Sequence, residues 1–215
     1  MPERSSRLLE LPVEIQLKIM GYLGCRDLET LKRTSRKLQS IALHPSLWKE
    51  YEILDDKTAP SEIISNLKRM SLLKKIVIRN RIDTNNIVRQ ISLSNKHLEE
   101  LQITYKHDES TMYLQAPLMR RLVERCQQLH TINLDGVYCR SLKFYRLLGK
   151  KVFGNLRSLN VKMTMGQIKA FVSHLNEQNR DNVYKSLREL GPRYWKVVRY
   201  LRLGDFRWIQ KQNTH

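Results

Sequence analysis

Long apolar runs are missing from this chain: among its 215 residues no uninterrupted stretch exceeds three, as in Ile76-Val77-Ile78. A membrane-spanning helix needs about 20 apolar residues, so the sequence predicts no transmembrane segment and no membrane partner. A signal-peptide core is missing too, because the opening Met1-Pro2-Glu3-Arg4-Ser5-Ser6-Arg7 runs into Glu10 and Glu14. The expectation is an intracellular protein, cytoplasmic, nuclear or both. Cysteine is scarce: Cys25, Cys126 and Cys139 are an odd number with no close pairing, which fits reduced thiols better than a disulfide framework.

Motifs of catalysis and metal binding are also wanting. There is no C-x-x-C, no H-E-x-x-H and no complete phosphate loop, since Gly149-Lys150-Lys151 lacks both the preceding glycine and the following hydroxyl. His44, His97, His107, His130, His174 and His215 are scattered, and none has metal-ligand spacing with a cysteine. Cys25 falls inside a predicted three-helix module and Cys126 on the apolar side of a helix, both poor places for an attacking thiolate. The sequence therefore predicts no cofactor, no metal and no catalytic residue. Acidic residues are in short supply as well: 21 Asp/Glu stand against 39 Lys/Arg, a formal charge of +18. That excess admits nucleic acid, phosphorylated protein or anionic lipid as partner classes. It is uneven, at +2 over residues 1–52 and +13 over residues 140–215.

What is present is enough apolar material, 41% of residues, to bury a core. From Leu8 to Trp48 the pattern predicts three short helices. Pro12 suits the first turn of helix one, where its missing N–H has no partner to lose, and Ile15, Ile19 and Leu23 repeat every four residues. Asp27 suits the N-cap of a second helix over 28–32, and Ser35 that of a third carrying Leu38, Ile41 and Ala42, which His44-Pro45 stops. Helix one has Ile15, Ile19, Tyr22 and Leu23 on one side and Leu17 and Met20 on another, too wide a spread for one core-facing stripe. The surplus, with Leu8, Leu9, Leu11, Leu28, Leu31 and the exposed-looking pair Leu47-Trp48, needs either the rest of the chain or a second protein to cover it.

Leu11-Pro12-Val13-Glu14-Ile15, then Ile19, Leu23, Asp27-Leu28, Leu31, Ser35 and the closing Leu47-Trp48 resemble an F-box, with its L-P-x-E-I opening, its D-L pair and its terminal L-W. The resemblance covers about a fifth of the chain. It implies docking onto a Skp-family adaptor through Leu9, Leu11, Pro12, Ile15, Ile19, Leu23, Leu28, Leu31, Leu47 and Trp48, and through that adaptor onto a cullin and its RING subunit.

Beyond Trp48, Asp55-Asp56-Lys57-Thr58-Ala59-Pro60 has linker character and precedes a helix expected over Ser61 to Met70. The template L-x-x-L-x-L then returns from Leu73, Leu98, Leu129 and Leu156, with a fifth candidate from Val198. Helical patterns lie between, notably Leu118, Leu122, Cys126 and Leu129, and Ile168, Phe171, Val172 and Leu175. The starts are separated by 25, 31, 27 and 42 residues, partly within the ~20–29 of a leucine-rich repeat. The array resembles a degenerate member of that class, because Arg81, Lys106, Val137 and Thr164 stand where Asn or Cys should follow each strand. The predicted fold class is α/β overall, a small three-helix F-box module followed by a short, degenerate leucine-rich-repeat-like α/β array. The boundaries are 7–52 for the module, 53–70 for linker and connecting helix, 71–205 for the array and 206–215 for a tail.

Strand alternation would put the third, fifth and seventh template positions on one open face. That makes Lys75, Arg79, Glu100, Gln102, Asn133, Asp135, Asn160, Lys162 and Arg202 candidates for holding a protein substrate of acidic or phosphorylated character, on a face basic at both ends. The resulting expectation is a non-catalytic substrate-recognition adaptor of a cullin-RING ubiquitin ligase. The alternative is a basic nucleic-acid or chromatin-associated protein, motivated by Tyr184, Tyr194, Trp195, Tyr200, Phe206 and Trp208 among the C-terminal cations.

Overall fold

The structure is a computed structural model that describes residues 7–54, 58–106, 112–155, 158–174 and 203–209. A 3₁₀ turn at Arg7–Glu10 leads into α1 (Val13–Met20), α2 (Cys25–Leu31) and α3 (Arg36–Ala42), and a second 3₁₀ turn follows at Pro45–Leu47. Pro12 sits at the N-cap of α1, and Ser35 caps α3 by accepting a hydrogen bond from the Leu38 amide. The second helix corrects the expectation: it starts at Cys25 with Gly24 as N-cap, so Asp27 lies inside its first turn. An acidic side chain is favoured by the helix dipole anywhere in that turn, and the sequence pattern does not separate the two placements.

A strand and a helix then alternate: β1 (Glu50–Leu54), α4 (Pro60–Arg69), β2 (Lys75–Arg79), α5 (Thr84–Ser94) and β3 (Glu100–Thr104). They are followed by β4 (Met112–Tyr113), α6 (Ala116–Arg125), β5 (Thr131–Asp135), β6 (Val137–Tyr138), α7 (Leu142–Asn155), β7 (Ser158–Thr164), α8 (Met165–Val172) and β8 (Leu203–Ile209). The main sheet runs β1-β2-β3-β5-β7-β8, parallel except for the last strand, and β4 pairs with β6 in a small parallel bridge. Register is exact from strand to strand: Glu50, Lys75, Glu100, Thr131 and Ser158 form one row. Alternate positions, Tyr51 and Ile53, Ile76 and Ile78, Leu101 and Ile103, Ile132 and Leu134, Leu159 and Val161, are buried under the helices. Period-two alternation with one apolar face is what a sheet covered on one side requires.

Strand β1 is the largest departure from the sequence reading. It occupies the same register as the later strands, which makes Trp48-Lys49-Glu50-Tyr51-Glu52-Ile53 the first turn of the repeat, with Trp and Tyr where the others carry Leu or Ile. Trp48 accordingly takes the buried place of Leu73, Leu98 and Leu129, and is only 2% exposed. Its indole Nε1 donates to the Ala42 carbonyl at 2.7 Å, and its ring meets Tyr51 edge-on at 5.9 Å. Helices α1 to α3 thus close the first edge of the array. Met20, Leu28, Trp48 and Tyr51 belong to the same core as Ile76 and Leu101. The module boundary expected at residue 52 falls inside this strand.

Successive helix ends are tied together. Met70, Asn95 and Cys126 are the C-caps of α4, α5 and α6. The Asn95 Nδ2 donates to the Met70 carbonyl, and the Cys126 thiol donates to the Asn95 carbonyl at 3.2 Å. Each contact satisfies a carbonyl that the end of a helix leaves without an intrahelical partner. At the other end of the units, Gly136 holds φ +73°, and a Cβ there would lie 1.8 Å from the Tyr105 carbonyl oxygen. Only glycine fits so close a backbone approach. The far end also departs from expectation: β8 runs antiparallel to β7, and it continues through Ile209, past the predicted end at 205. The fifth template from Val198 to Arg202, with Tyr200 and Arg202, lies outside the described residues, as do Asp55 to Lys57 and the 42-residue gap from position 175 on.

Candidate functional site

Two surfaces collect the residues singled out by sequence. The first is an apolar patch on α1 and its flanks. Gln16 and Met20 point inward, and Gln16 Nε2 donates to the Leu11 carbonyl at 2.6 Å, fixing the entry to the helix. The opposite side carries Ile15 and Ile19, 44% and 43% exposed, with Leu11, Val13, Tyr22 and Leu23 beside them. Pro12 is exposed with them, while Leu9, Leu31 and Leu47 are half-buried. Leu28 and Trp48 correct the reading: both lie in the core, so neither offers a side chain to a partner. Trp48 looks exposed in sequence because it follows a helix-stopping His44-Pro45, and only the strand after it shows that the chain has already turned inward. Val13 and Tyr22 belong to the patch and were not among the residues expected to dock the adaptor; Tyr22 was legible in the apolar surplus of helix one, whereas Val13 fills the unspecified place of the L-P-x-E-I opening.

The patch continues into an open groove of about 700 Å³ between the three-helix module and the start of the sheet, walled by Leu23, Leu47, Arg26, Glu52, Val77 and Arg79. At its base Glu52 accepts from two cations, Arg26 of α2 and Arg79 of β2, each at 3.1 Å. A second polar cluster stitches α2 to α4. Asn66, almost fully buried, donates through Nδ2 to Glu29 at 3.1 Å and to the Tyr51 hydroxyl at 3.3 Å, while Lys32 lies 2.6 Å from Glu29. Burial pushes the Tyr51 phenol up to about 12, so it keeps its proton in this joint beyond the pH at which a free phenol ionises.

The second surface is the sheet face opposite the helices. Lys75, Arg79, Glu100, Gln102, Asn133, Asp135, Asn160 and Lys162 all occupy the alternate positions of one face, in register across four strands. Arg202 lies outside the described residues. Asn160 Nδ2 donates to Asn133 Oδ1 at 2.9 Å, which fixes both amides. The expected basic end at β2 is corrected: Lys75 sits 3.7 Å from Glu50 and 3.9 Å from Glu100, and Arg79 is paired with Glu52. Glu50 and Glu52 belong to β1, the strand that sequence reading missed, and Glu100 to β3. Along the rim, Lys74 donates to Glu99 at 2.7 Å, and this bond, together with nearby His130, holds the Glu99 carboxyl below the usual carboxylate range.

Cys126 and Cys139 are buried, and burial pushes the Cys139 thiol up, away from the thiolate. Among the described residues no group of three His, Cys, Asp or Glu side chains could hold a metal ion, and no helix is long and apolar enough to cross a membrane. The C-terminal aromatics and cations that motivated a nucleic-acid reading, Tyr184, Arg193, Tyr194, Trp195, Lys196, Arg199 and Tyr200, lie outside the described residues.

Comparison with known families gives a match over residues 8–53 to a family described as F-box-like, about a fifth of the chain. The matched segment ends at Ile53, inside β1, and includes every residue of the exposed apolar patch. No curated protein matches the chain.

Proposed function

We propose that this protein is the substrate-recognition subunit of a cullin-RING ubiquitin ligase, docking a Skp-family adaptor through residues 8–53 and a protein substrate through the polar sheet face. The observation that carries the reading is the coincidence of the F-box-like match with the patch of Leu11, Val13, Ile15, Ile19, Tyr22 and Leu23, which nothing else among the described residues covers. Contiguous apolar side chains on a surface mark an interaction site, and a few such anchors supply most of an interface's affinity. The parallel strand-helix units are taken as a degenerate leucine-rich-repeat array, supported by their shared register and one buried leucine-type position per turn. On this reading the cullin and RING subunit are reached through the adaptor. The protein's own residues make no bond: holding a substrate beside a loaded conjugating enzyme raises its local concentration, to ~mM for a short tether. The sheet face, with neutralised charges near β2 and amides at its centre, suits a polar protein segment.

The test is adaptor capture by the double variant Ile15→Asp and Ile19→Asp. Both positions lie on the exposed side of α1; in a variant whose thermal transition matches the parent's, capture should fall more than tenfold, about 1.4 kcal/mol. Undiminished capture by the folded variant would show that the patch is not the docking surface.

A further inference from the structure

The helical layer of the second half of the array carries a charge pattern that adaptor and substrate docking do not use. Helices α6, α7 and α8 together hold eight Lys/Arg and a single acid, Glu124. The equivalent layer of the first half, α4 and α5, holds three Lys/Arg and one acid. On α7, Lys143, Arg146 and Lys150 recur at i, i+3 and i+7, one stripe about 10 Å long. Arg120 faces them from α6 and His174 from the end of α8, and with Leu147 they enclose a shallow groove of about 360 Å³. Glu124 lines the groove as well and lies 3.7 Å from Arg120 in an exposed pair. The imidazole is held in place, its Nδ1 2.9 Å from Ser173 Oγ and 3.1 Å from the Ala170 carbonyl.

We propose that this α6–α7 groove binds an acidic polypeptide segment, rich in Asp and Glu or bearing phosphoserine. Three features select this occupant. Cations with a single acid beside them among the described residues form a local positive field that attracts and orients an anionic chain. The groove between two neighbouring helices, whose axes pack 8–10 Å apart, admits one extended chain and not the broad cylinder of a nucleic-acid duplex. Among the described side chains, none that lines the groove is a Phe, Tyr or Trp ring on which an unpaired base could stack. The groove lies on the opposite side of the sheet from the substrate face, so a segment held there leaves that face and the α1 patch open.

The experiment uses the full chain and fluorescent probes: a twelve-residue peptide of alternating Glu and Gly, a phosphoserine counterpart and a twelve-base-pair DNA duplex, titrated by anisotropy across ionic strength. One variant reverses the groove charges, Lys143→Glu, Arg146→Glu and Lys150→Glu. Another makes the same net change at exposed positions of the first-half layer, Lys68→Glu, Arg69→Glu and Arg89→Glu. The expected result is at least tenfold weaker peptide binding in the groove variant and less than threefold in the other, with a flatter salt dependence for the groove variant alone. Tighter binding of the phosphopeptide assigns the site to phosphate, equal binding to carboxylates, and both uphold the proposal. Equal losses in the two variants, or no peptide binding to the parent at low salt, would overturn it, as would a duplex that binds the parent more tightly than either peptide. Should the reversal variant lose its thermal transition, Lys143→Gln, Arg146→Gln and Lys150→Gln is read against the same threefold limit. Adaptor capture by these variants is measured separately, so failure of the docking reading and failure of the groove are told apart.

Discussion

Individual residues in this protein hold positions that no neighbour in sequence would predict. Asn95 links two helix ends at once, through its side chain to Met70 and through its carbonyl to Cys126. Replacing it with Leu removes the side-chain bond and leaves the Met70 carbonyl only the Leu73 amide, at 3.2 Å, and losing one such hydrogen bond costs about 0.5–1.5 kcal/mol. Urea unfolding should show a loss of that size with an unchanged m-value. Gly136→Ala should cost more, beyond about 2 kcal/mol, because a left-handed backbone angle and a carbonyl in contact both oppose the methyl. The buried phenols set a pH dependence. Tyr51 is raised to about 12 and Tyr145 is raised as well, mainly by burial. A raised pKa means that the folded state keeps a proton the unfolded chain releases near pH 10, so the stabilisation is whole below pH 10 and is lost as pH rises from 10 towards 12. Stability measured over that window should fall less steeply in Tyr51→Phe; identical slopes would contradict the role of Tyr51.

At the scale of elements, β1 changes the meaning of the segment before it. Trp48 opens the first strand-helix unit and in the same place closes the three-helix module, so one side chain joins the two into a single core. Trp48→Ala should destabilise the whole chain by about 3–5 kcal/mol, in the range for removing a large buried aromatic. Much of the element order was legible. Pro12 and Ser35 mark two helix starts, and the L-x-x-L-x-L templates from Leu73, Leu98, Leu129 and Leu156 coincide with β2, β3, β5 and β7. These signals are local: capping and period-two alternation act within a few residues. Strand β1 was not legible because aromatic residues replace its leucines and a charged linker follows it. The antiparallel β8 was not legible because its partner, β7, ends about 40 residues earlier in the chain.

For the whole molecule, the shared core makes module and array one cooperative unit. A fragment ending at residue 54 exposes Trp48, Tyr51 and Ile53 and leaves about 48 described residues to stand alone, below the size at which a core is comfortable. It should lack a cooperative thermal transition, whereas the full chain should unfold α1–α3 and the first strands together; a sharp transition in the fragment would separate the two. By itself the sequence determined the strand-helix alternation, the apolar surplus of α1 and the excess of positive charge, because composition and short-range periodicity are properties of neighbouring residues. Only the tertiary structure decided which side of α1 stays outside, that Leu28 and Trp48 are core, and that Glu50 and Glu52 neutralise Lys75 and Arg79. Burial and charge pairing depend on residues brought alongside from 25 or more positions away, and that proximity exists only once the strands have found their register.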